Sequence, residues 1–420
     1  MDITLTDIVL YTTYFLLLFI SIFWMIVLFT KKKKEKIVQK GELPLCSVIV
    51  PAFNEEESIE GTLQSIIGLE YPKEKLDIVV VNDGSKDTTQ KVVEKFITNN
   101  PSYKITLLNQ QNQGKGTAMN HGLQYAKGEF FACLDADSFV GSQALQVMTP
   151  FFQEKNVAAV CPLLKVKKPD SILRKMQWVE YIINMFYRFL NAQLDCVHVT
   201  PGPFSVYRTS VIKKLGGFDE ETITEDLEIA IRLQKHHYKI VHTFDAIVET
   251  IAPNSWRGLF RQRVRWYKGS IDNGFKYRRM IFNKEYGDFG MLRMPTIMLS
   301  AILPIVLAGT LLQEVFTSGI EWFYSLKSIN FDIFTLIRNF QFDPNLLTLP
   351  LGKLFIAGTL FAFSFFIMIL SYRVIKEKIS NHGKTWVSLI TYLSFYGLFL
   401  TAVWVYIGYM YVSKKKNFWH

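Results

Sequence analysis

The chain has 420 residues, of which 49% are hydrophobic, and it carries 47 lysines and arginines against 37 acidic residues. The net charge of +10 is compatible with nucleic-acid binding, but much of the basic excess lies beside long apolar segments, in KKKKEK (31–36), WRGLFRQRVRW (256–266) and YRR (277–279). Basic residues in such places favour the cytoplasmic face of a membrane. We therefore expect an integral membrane protein that binds no nucleic acid.

The cysteines and histidines argue against a disulfide scaffold and a zinc site. No Cys-x-x-Cys pair occurs, and most of the cysteines lie in or beside apolar runs, which is typical of buried thiols in a reducing compartment. His236 and His237 are adjacent, so their side chains diverge, and we interpret them as part of a solvated helix end. The cysteines are Cys46, Cys133, Cys161 and Cys196.

The amino-terminal segment is apolar for long enough to cross a membrane. Residues 8–30 contain no charge and are followed at once by four lysines. A signal peptide carries its positive charges first, so this order favours a retained transmembrane helix within residues 1–30. The lysines place a basic linker, residues 31–43, in the cytoplasm.

Residues 44–250 are predicted to form one α/β domain. Four short apolar runs alternate with helix-length stretches, and their hydrophobicity is continuous, which indicates strands buried on both faces of a mostly parallel, Rossmann-like sheet. The runs are LCSVIVPAF (45–53), LDIVVVND (76–83), YKITLLNQ (103–110) and EFFACLD (129–135). Such sheets bind ligands beyond the carboxyl ends of their strands, so PAFNEE (51–56), NDGS (82–85) and LDADS (134–138) are expected to share one rim.

The rest of the chain is predicted to return to the membrane. Residues 251–290 are basic and aromatic, as in amphipathic interface helices, and residues 291–413 contain three candidate spans, at 294–312, 351–370 and 386–412. Residues 317–349 are too polar to cross and are expected to form a loop, with room for a membrane-surface helix. Four spans would leave KKK (414–416) outside the cell, against the positive-inside tendency.

Asp135 and Asp137 follow a predicted buried strand and are one residue apart. Two carboxylates so close repel each other unless a cation neutralises them, and Mg²⁺ or Mn²⁺ commonly joins one or two carboxylates to a diphosphate. The alternative is a polar loop with a capping residue for the next helix. The position at a strand end favours the metal site.

Two glycine-containing turns add further candidates. NDGS is typical of a tight turn, but it also places Asp83 where its carboxylate could accept hydrogen bonds from a flat base. GKGTAMNHG (114–122) is not a phosphate loop, because the upstream glycine of that motif is missing and Gly116 stands where serine or threonine is needed. It predicts a helix start with Lys115 suited to an anion.

An acidic cluster and a basic motif complete the set. In GGFDEETITEDLEIAIRLQ (216–234), Thr224-Glu225-Asp226 precedes an amphipathic helix and has a capping role as its simplest interpretation, although capping requires only one of the acids present. QRVRW (262–266) is compatible with an interfacial helix that holds Arg and Trp at the membrane surface, and with a ligand-binding role as well.

These motifs resemble those of a known family. NDGS, LDADS, TED and QRVRW in this order, with PAFNEE ahead of them and apolar segments on both sides, resemble the processive family 2 glycosyltransferases, which include cellulose, chitin, hyaluronan and poly-N-acetylglucosamine synthases. GFDEETITEDLEIA is most similar to the poly-N-acetylglucosamine branch, whereas a single amino-terminal span departs from many members of that branch.

The resemblance implies a cytoplasmic GT-A domain inserted between transmembrane helices, and a role for each matching residue. Asp83 would contact the uracil of a UDP-sugar, with Ala52 and Glu55 framing the base. Asp135 and Asp137 would hold the diphosphate and Mg²⁺ or Mn²⁺. Asp226 would be the general base with Glu225 beside it. The remaining expectations are donor binding by Gln262, Arg263 and Arg265, and acceptor binding by Trp266 and by the Gly202–Pro203 loop.

The expected function is an inverting, metal-dependent processive transferase of the plasma membrane that extends a β-linked polysaccharide and passes it through a channel of transmembrane helices. One alternative is a non-processive transferase acting on a lipid acceptor, and another is a transport or scaffold subunit with a degenerate transferase domain. QRVRW argues against the first, and the presence of all four motif acids argues against the second. The motifs do not specify the sugar or any accessory subunit.

Overall fold

The computed structural model describes residues 5–30, 41–338, 351–383 and 385–413. The lysine clusters at 31–36 and 414–416, most of the predicted basic linker, and residues 339–350 of the predicted 317–349 loop lie outside the described residues.

A single mixed sheet forms the centre of the domain. Its eight strands are arranged in the order β3-β2-β1-β4-β7-β6-β8-β5. They are β1 (Cys46–Ala52), β2 (Leu76–Asp83), β3 (Lys104–Gln110), β4 (Phe130–Cys133), β5 (Ser138–Val140), β6 (Val157–Val166), β7 (Ser205–Arg208) and β8 (Lys239–Thr250).

The helices surround this sheet and extend away from it. Those of the domain are α2 (Ile59–Ile67), α3 (Thr89–Asn99), α4 (Lys115–Tyr125), α5 (Ala144–Met148), α6 (Ile172–Gln193), α7 (Thr209–Lys214), α8 (Glu225–Lys235) and α9 (Trp256–Lys276). The others are α1 (Leu5–Phe29), α10 (Met294–Ser328), α11 (Ile333–Arg338), α12 (Leu351–Ile375), α13 (Thr385–Thr391) and α14 (Gly397–Val412).

The four predicted strands are present and parallel to one another, and the sheet as a whole is mostly parallel but mixed, with four parallel and three antiparallel pairings. Strands β1 to β4 pair in parallel, as do β6 and β8. Strand β7 is antiparallel to both β4 and β6, and β5 is antiparallel to β8. Strand β7 has only four residues, too few for a periodicity to show in the sequence.

Both faces of the sheet are covered, as the continuous hydrophobicity of the strands predicted. Val48 and Val50 of β1 pack in a core with Ile59 of α2. Ile49, between them, points to the other face and packs in a second core with Met119 of α4. Successive side chains of a strand alternate between faces, so one apolar run supplies both cores.

Four helices among the described residues are long and apolar enough to cross a membrane: Asp7–Phe29, Phe289–Val306, Leu354–Ile375 and Val387–Val412. Their outer faces leave large apolar side chains exposed, as at Phe15 and Phe355, which is consistent with membrane association. Helix α10 continues to Ser328. Residues 317–328 are therefore helical, whereas the sequence predicted a loop with room for a membrane-surface helix over 317–349.

Candidate active site

Three elements bring a lysine between two carboxylates at the rim of the sheet. Lys115 begins α4, Asp135 follows β4, and Glu225 begins α8. The Lys115 Nζ lies 2.6 Å from Asp135 Oδ1 and 2.9 Å from Glu225 Oε1. Burial acts to lower the pKa of Lys115, but the charges of Asp135 and Glu225 outweigh it and raise the pKa. The lysine therefore remains charged and ties the Asp135 loop to the start of α8.

The predicted acceptor loop packs directly against this ion pair. A Cβ on Gly202 would lie 2.7 Å from Lys115 Nζ and 2.9 Å from Asp135 Oδ2, which leaves no room for a side chain. Two residues earlier, Thr200 donates hydrogen bonds to the carbonyl oxygen of Asp226 from its backbone N (3.2 Å) and its Oγ1 (2.9 Å). The loop therefore contacts Asp226 through Thr200 and Asp135 through Gly202.

Glu55, Asp135 and Asp137 form a group of neighbouring carboxylates. Burial, followed by the charges of Asp135 and Glu55, raises the pKa of Asp137 to about 7. Burial also raises the pKa of Glu55, with a further contribution from Asp135. The backbone between the two aspartates is held by Thr62, whose Oγ1 donates to the carbonyl oxygen of Ala136 at 2.7 Å.

This carboxylate group fits a hard divalent cation. Oxygen ligands suit Mg²⁺ and Mn²⁺, and these ions often take one or two protein carboxylates and complete their coordination with phosphate oxygens and water. Among the described residues, no three acidic, histidine or cysteine side chains converge as a complete metal site. The carboxylates present fit such an ion, and Asp135 and Asp137 are the residues that would hold it.

Asp226 is a fixed carboxylate with a raised pKa. It is half-buried, and burial together with the charge of Glu225 raises its pKa to about 6, against the opposing charges of Lys115 and Arg265. Its Oδ1 accepts a hydrogen bond from the backbone N of Leu227 at 2.9 Å, which fixes the carboxylate.

Asp83 has a structural role that the sequence analysis missed. Its Oδ1 accepts hydrogen bonds from Gln110 Nε2 (2.8 Å) and the Gln113 backbone N (3.0 Å), and its Oδ2 accepts one from the Gly114 backbone N (3.0 Å). These bonds fix the loop that leads into Lys115. Contact between Asp83 and a base stays a prediction, as does the framing role of Glu55 and of Ala52, which is buried at the end of β1.

Helix α9 places its motif beside the start of α8. Asn273 Nδ2 donates to Thr224 Oγ1 at 3.1 Å, and Gly269 packs directly against the Thr224 side chain. Arg265 of this helix lies close enough to the acids for its charge to lower the pKa of Glu225, although Lys115 contributes more and burial opposes both. Arg265 therefore belongs to the site.

Donor binding by Arg263 stays a prediction that its position does not favour. Its side chain is completely buried, and its Nε donates to Glu180 Oε1 of α6 (3.0 Å) and to the Tyr396 hydroxyl (3.2 Å). Residues two apart on a helix are about 200° apart around its axis, so Arg263 and Arg265 point in opposite directions.

The other two residues of the motif contact Arg263. Gln262 accepts a hydrogen bond from Arg263 through its Oε1, and the Trp266 ring centre lies 4.2 Å from Arg263 Cζ. Both side chains are half-buried. Donor binding by Gln262 and acceptor binding by Trp266 stay predictions, and Arg263 supports both residues from the helix interior.

Comparison with known proteins identifies a matching family for part of the chain. Residues 47–216 match the model of glycosyl transferase family 2. This part of the chain is therefore similar to a family 2 glycosyltransferase domain. The poly-beta-1,6-N-acetyl-D-glucosamine synthase of Staphylococcus aureus strain COL is 31% identical over 263 residues, and that of Staphylococcus epidermidis is 30% identical over 264. Each match covers 60% of this chain but only 63% of the relative, less than two thirds of its length.

A solved structure shares the fold over nearly the whole chain. The mannosyltransferase PcManGT from Pyrobaculum calidifontis, in complex with GDP-Man and Mn²⁺, is 19% identical, with a TM-score of 0.62 over 98% of this chain and 99% of its own. The two chains therefore share a fold over nearly their whole length. The resemblance to family 2 glycosyltransferases that the motifs predicted is confirmed over residues 47–216.

Proposed function

We propose that this protein is an inverting, metal-dependent glycosyltransferase that uses a UDP-sugar, UDP-N-acetylglucosamine in the first instance, to extend a β-linked polysaccharide. The observation that carries the proposal is that the Lys115 Nζ lies within 2.9 Å of a carboxylate oxygen of both Asp135 and Glu225. Asp226 is the next residue in the chain after Glu225. The choice of sugar is supported by the names of the staphylococcal relatives.

The chain's own residues have distinct tasks in this reaction. Asp226 takes the proton of the acceptor hydroxyl as that oxygen attacks the anomeric carbon, which a base with a pKa near 6 can do at neutral pH. Lys115 and Arg265 supply positive charge where the leaving diphosphate becomes more negative. A divalent ion bound by Asp135 and Asp137 would neutralise the same charge as a Lewis acid. Attack opposite the leaving group inverts the anomeric centre.

The apolar helices give the product a route. We propose that the four candidate spans cross the plasma membrane, with residues 44–250 in the cytoplasm and helix α9 at the membrane surface. Helix α9 packs against α14 and α10, and it carries both the QRVRW motif and the contact with Thr224. The acceptor site therefore adjoins the helices through which a growing polymer would leave, which supports processive synthesis with translocation.

A donor panel tests the proposal. The full chain in nanodiscs is incubated with Mn²⁺ and with UDP-N-acetylglucosamine, UDP-glucose, UDP-galactose or GDP-mannose, and nucleoside diphosphate release is measured. We expect UDP release with one UDP-sugar and a ladder of product lengths. A single glycolipid product would indicate the non-processive alternative, and a lack of release with every donor would contradict transferase activity.

The raised pKa of Asp226 predicts the acid side of the pH profile. The base must be ionised, so kcat should rise with pH through about 6 and then level off. Arg265 lowers this pKa, so Arg265→Gln should move the acid limb to higher pH. The profile is measured at saturating Mn²⁺ and donor, so that protonation of Asp137 does not limit turnover. An acid limb that does not move in Arg265→Gln would mean that another group sets it.

A further inference from the structure

Three basic side chains lie near one another, and one of them, Arg188, is close enough to Asp226 for its charge to act on that carboxylate. We call Arg188 of α6, His198 of the loop before β7, and Arg293, which immediately precedes α10, the basic cluster. Arg293 Nη2 donates a hydrogen bond to His198 Nε2 at 2.6 Å. Arg188 lies close enough to both for its charge to act on them. None of these residues belongs to the motifs that the sequence analysis identified.

The basic cluster contains buried donors without acceptors. Within the described part of the chain, Arg188 Nη1 and Arg293 Nε are both buried and have no hydrogen-bond partner. Buried guanidinium groups are normally paired, as Arg263 is with Glu180. Two unmatched donors on neighbouring cations indicate that an anion is the missing partner.

His198 adds a donor to the cluster and no negative charge. Burial and the charges of Arg293 and Arg188 lower the pKa of His198 well below its usual value, so the imidazole is neutral. Because its Nε2 accepts the hydrogen bond from Arg293, its Nδ1 carries the proton. The cluster is therefore composed of two cations and one neutral N–H donor.

The position of the cluster indicates which ligand it serves. The charges of Asp135, Glu55 and Lys115 influence the pKa of Asp137, whereas the charge of Arg188 interacts with that of Asp226. His198 is two residues from Thr200, which holds the Asp226 backbone, and four from Gly202, which touches Asp135. The cluster thus adjoins the end of this loop that holds Asp226, where the acceptor hydroxyl must arrive.

The same cluster adjoins a candidate membrane span. Arg293 lies within the Phe289–Val306 helix, close to its amino-terminal end. A lipid molecule with a charged headgroup could present that headgroup here while its chains stay among the apolar helices. Guanidinium groups bind phosphate oxygens with paired N–H donors, which makes a phosphate the anion of best fit.

We infer that the basic cluster binds the phosphate of a lipid acceptor whose headgroup also carries a hydroxyl, and that the first sugar is transferred to that hydroxyl. This inference rests on the proposed transferase function and names its first acceptor. In the step, the bond from the anomeric carbon to the diphosphate breaks and its electron pair leaves with UDP. The headgroup oxygen forms the new bond to that carbon, and its proton passes to Asp226.

The test compares acceptors that differ only in phosphate or in lipid chains. The full chain is placed in three kinds of nanodisc: phosphatidylcholine alone, phosphatidylcholine with phosphatidylglycerol, and phosphatidylcholine with diacylglycerol, which has a hydroxyl but no phosphate. In a fourth arm, free glycerol phosphate is added as the acceptor. Labelled sugar in the lipid fraction and UDP release are measured. We expect labelling of phosphatidylglycerol and little labelling of diacylglycerol. Free glycerol phosphate as the better acceptor would support phosphate recognition but overturn the lipid source.

Variants assign the effect to the cluster. Arg188→Gln should raise the KM for phosphatidylglycerol about 30-fold or more, equivalent to about 2 kcal/mol, and Arg188→Lys should raise it less. The dissociation constant of UDP, which also reports folding, should not change. Arg279→Gln is the control, because Arg279 is an exposed arginine outside the basic cluster.

Three outcomes would overturn the inference while leaving the transferase intact: equal labelling of diacylglycerol, an unchanged KM in Arg188→Gln, or weaker UDP binding in Arg188→Gln with an unchanged lipid KM. The last would assign the cluster to the donor site. Failure of the proposed function is distinguishable from these, since no UDP would then be released in any nanodisc.

Discussion

Asp226→Asn is expected to lower kcat by about 10²- to 10⁴-fold, the usual contribution of a positioned general base. The amide has nearly the shape of the carboxylate and can keep the hydrogen bond from the Leu227 backbone N, but it cannot accept the proton of the attacking hydroxyl. Donor and metal binding should persist, because Asp135, Asp137 and Lys115 are unchanged. Single-turnover sugar transfer and UDP affinity, measured on the same preparation, separate the two effects.

Asp245→Asn provides a matched control for that experiment. Asp245 is an exposed acid on β8 that belongs to none of the motifs, and its backbone N donates a hydrogen bond to Thr243 Oγ1. We expect wild-type turnover from Asp245→Asn. Near wild-type turnover from Asp226→Asn would remove Asp226 from the role of base.

Glu180→Gln is expected to destabilise the fold by about 3–5 kcal/mol, because it leaves the guanidinium of Arg263 buried without its counter-charge. Both side chains are almost inaccessible to water, at 5% and 0% exposure. The pair joins α6 to α9, and the Tyr396 hydroxyl accepts a further hydrogen bond from Arg263. Thermal unfolding in nanodiscs should show a clear fall in the midpoint.

Arg265→Gln is the matched comparison on the same helix. We expect it to reduce transfer with little change in the unfolding midpoint, because Arg265 is only half-buried and acts on the acids of the site. The double variant Glu180→Leu, Arg263→Met should recover much of the lost stability, since an apolar pair avoids the desolvation of two charges. If Glu180→Gln weakened UDP binding at unchanged stability, Arg263 would be a donor-binding residue after all.

The first half of the domain could be predicted because its signals are local. Continuous apolar runs correctly indicated β1 to β4, and the rule that ligands lie beyond the carboxyl ends of parallel strands placed Asp83 and Asp135 on one rim. The second half escaped prediction because its pairings are long-range. Strand β7 pairs with β4 across more than seventy residues of chain, and nothing in four residues fixes its direction.

The candidate site, like the fold, could be predicted only in part. The motif acids could be found from their positions, but their partners could not. Lys115 and Glu225 are 110 positions apart and meet only because α4 and α8 both begin at the rim. Arg263 and Arg265 look alike in QRVRW, and helical geometry alone separates a buried ion pair with Glu180 from a charge in the site.

The most direct test of the account is pulsed electron paramagnetic resonance of Mn²⁺ bound to the full chain with UDP. We expect couplings from the manganese to phosphorus, because Asp135 and Asp137 would hold the ion beside the diphosphate, and we expect these couplings to be lost in Asp137→Asn. Manganese bound without phosphorus couplings, or with couplings unchanged in Asp137→Asn, would contradict the shared metal and diphosphate site.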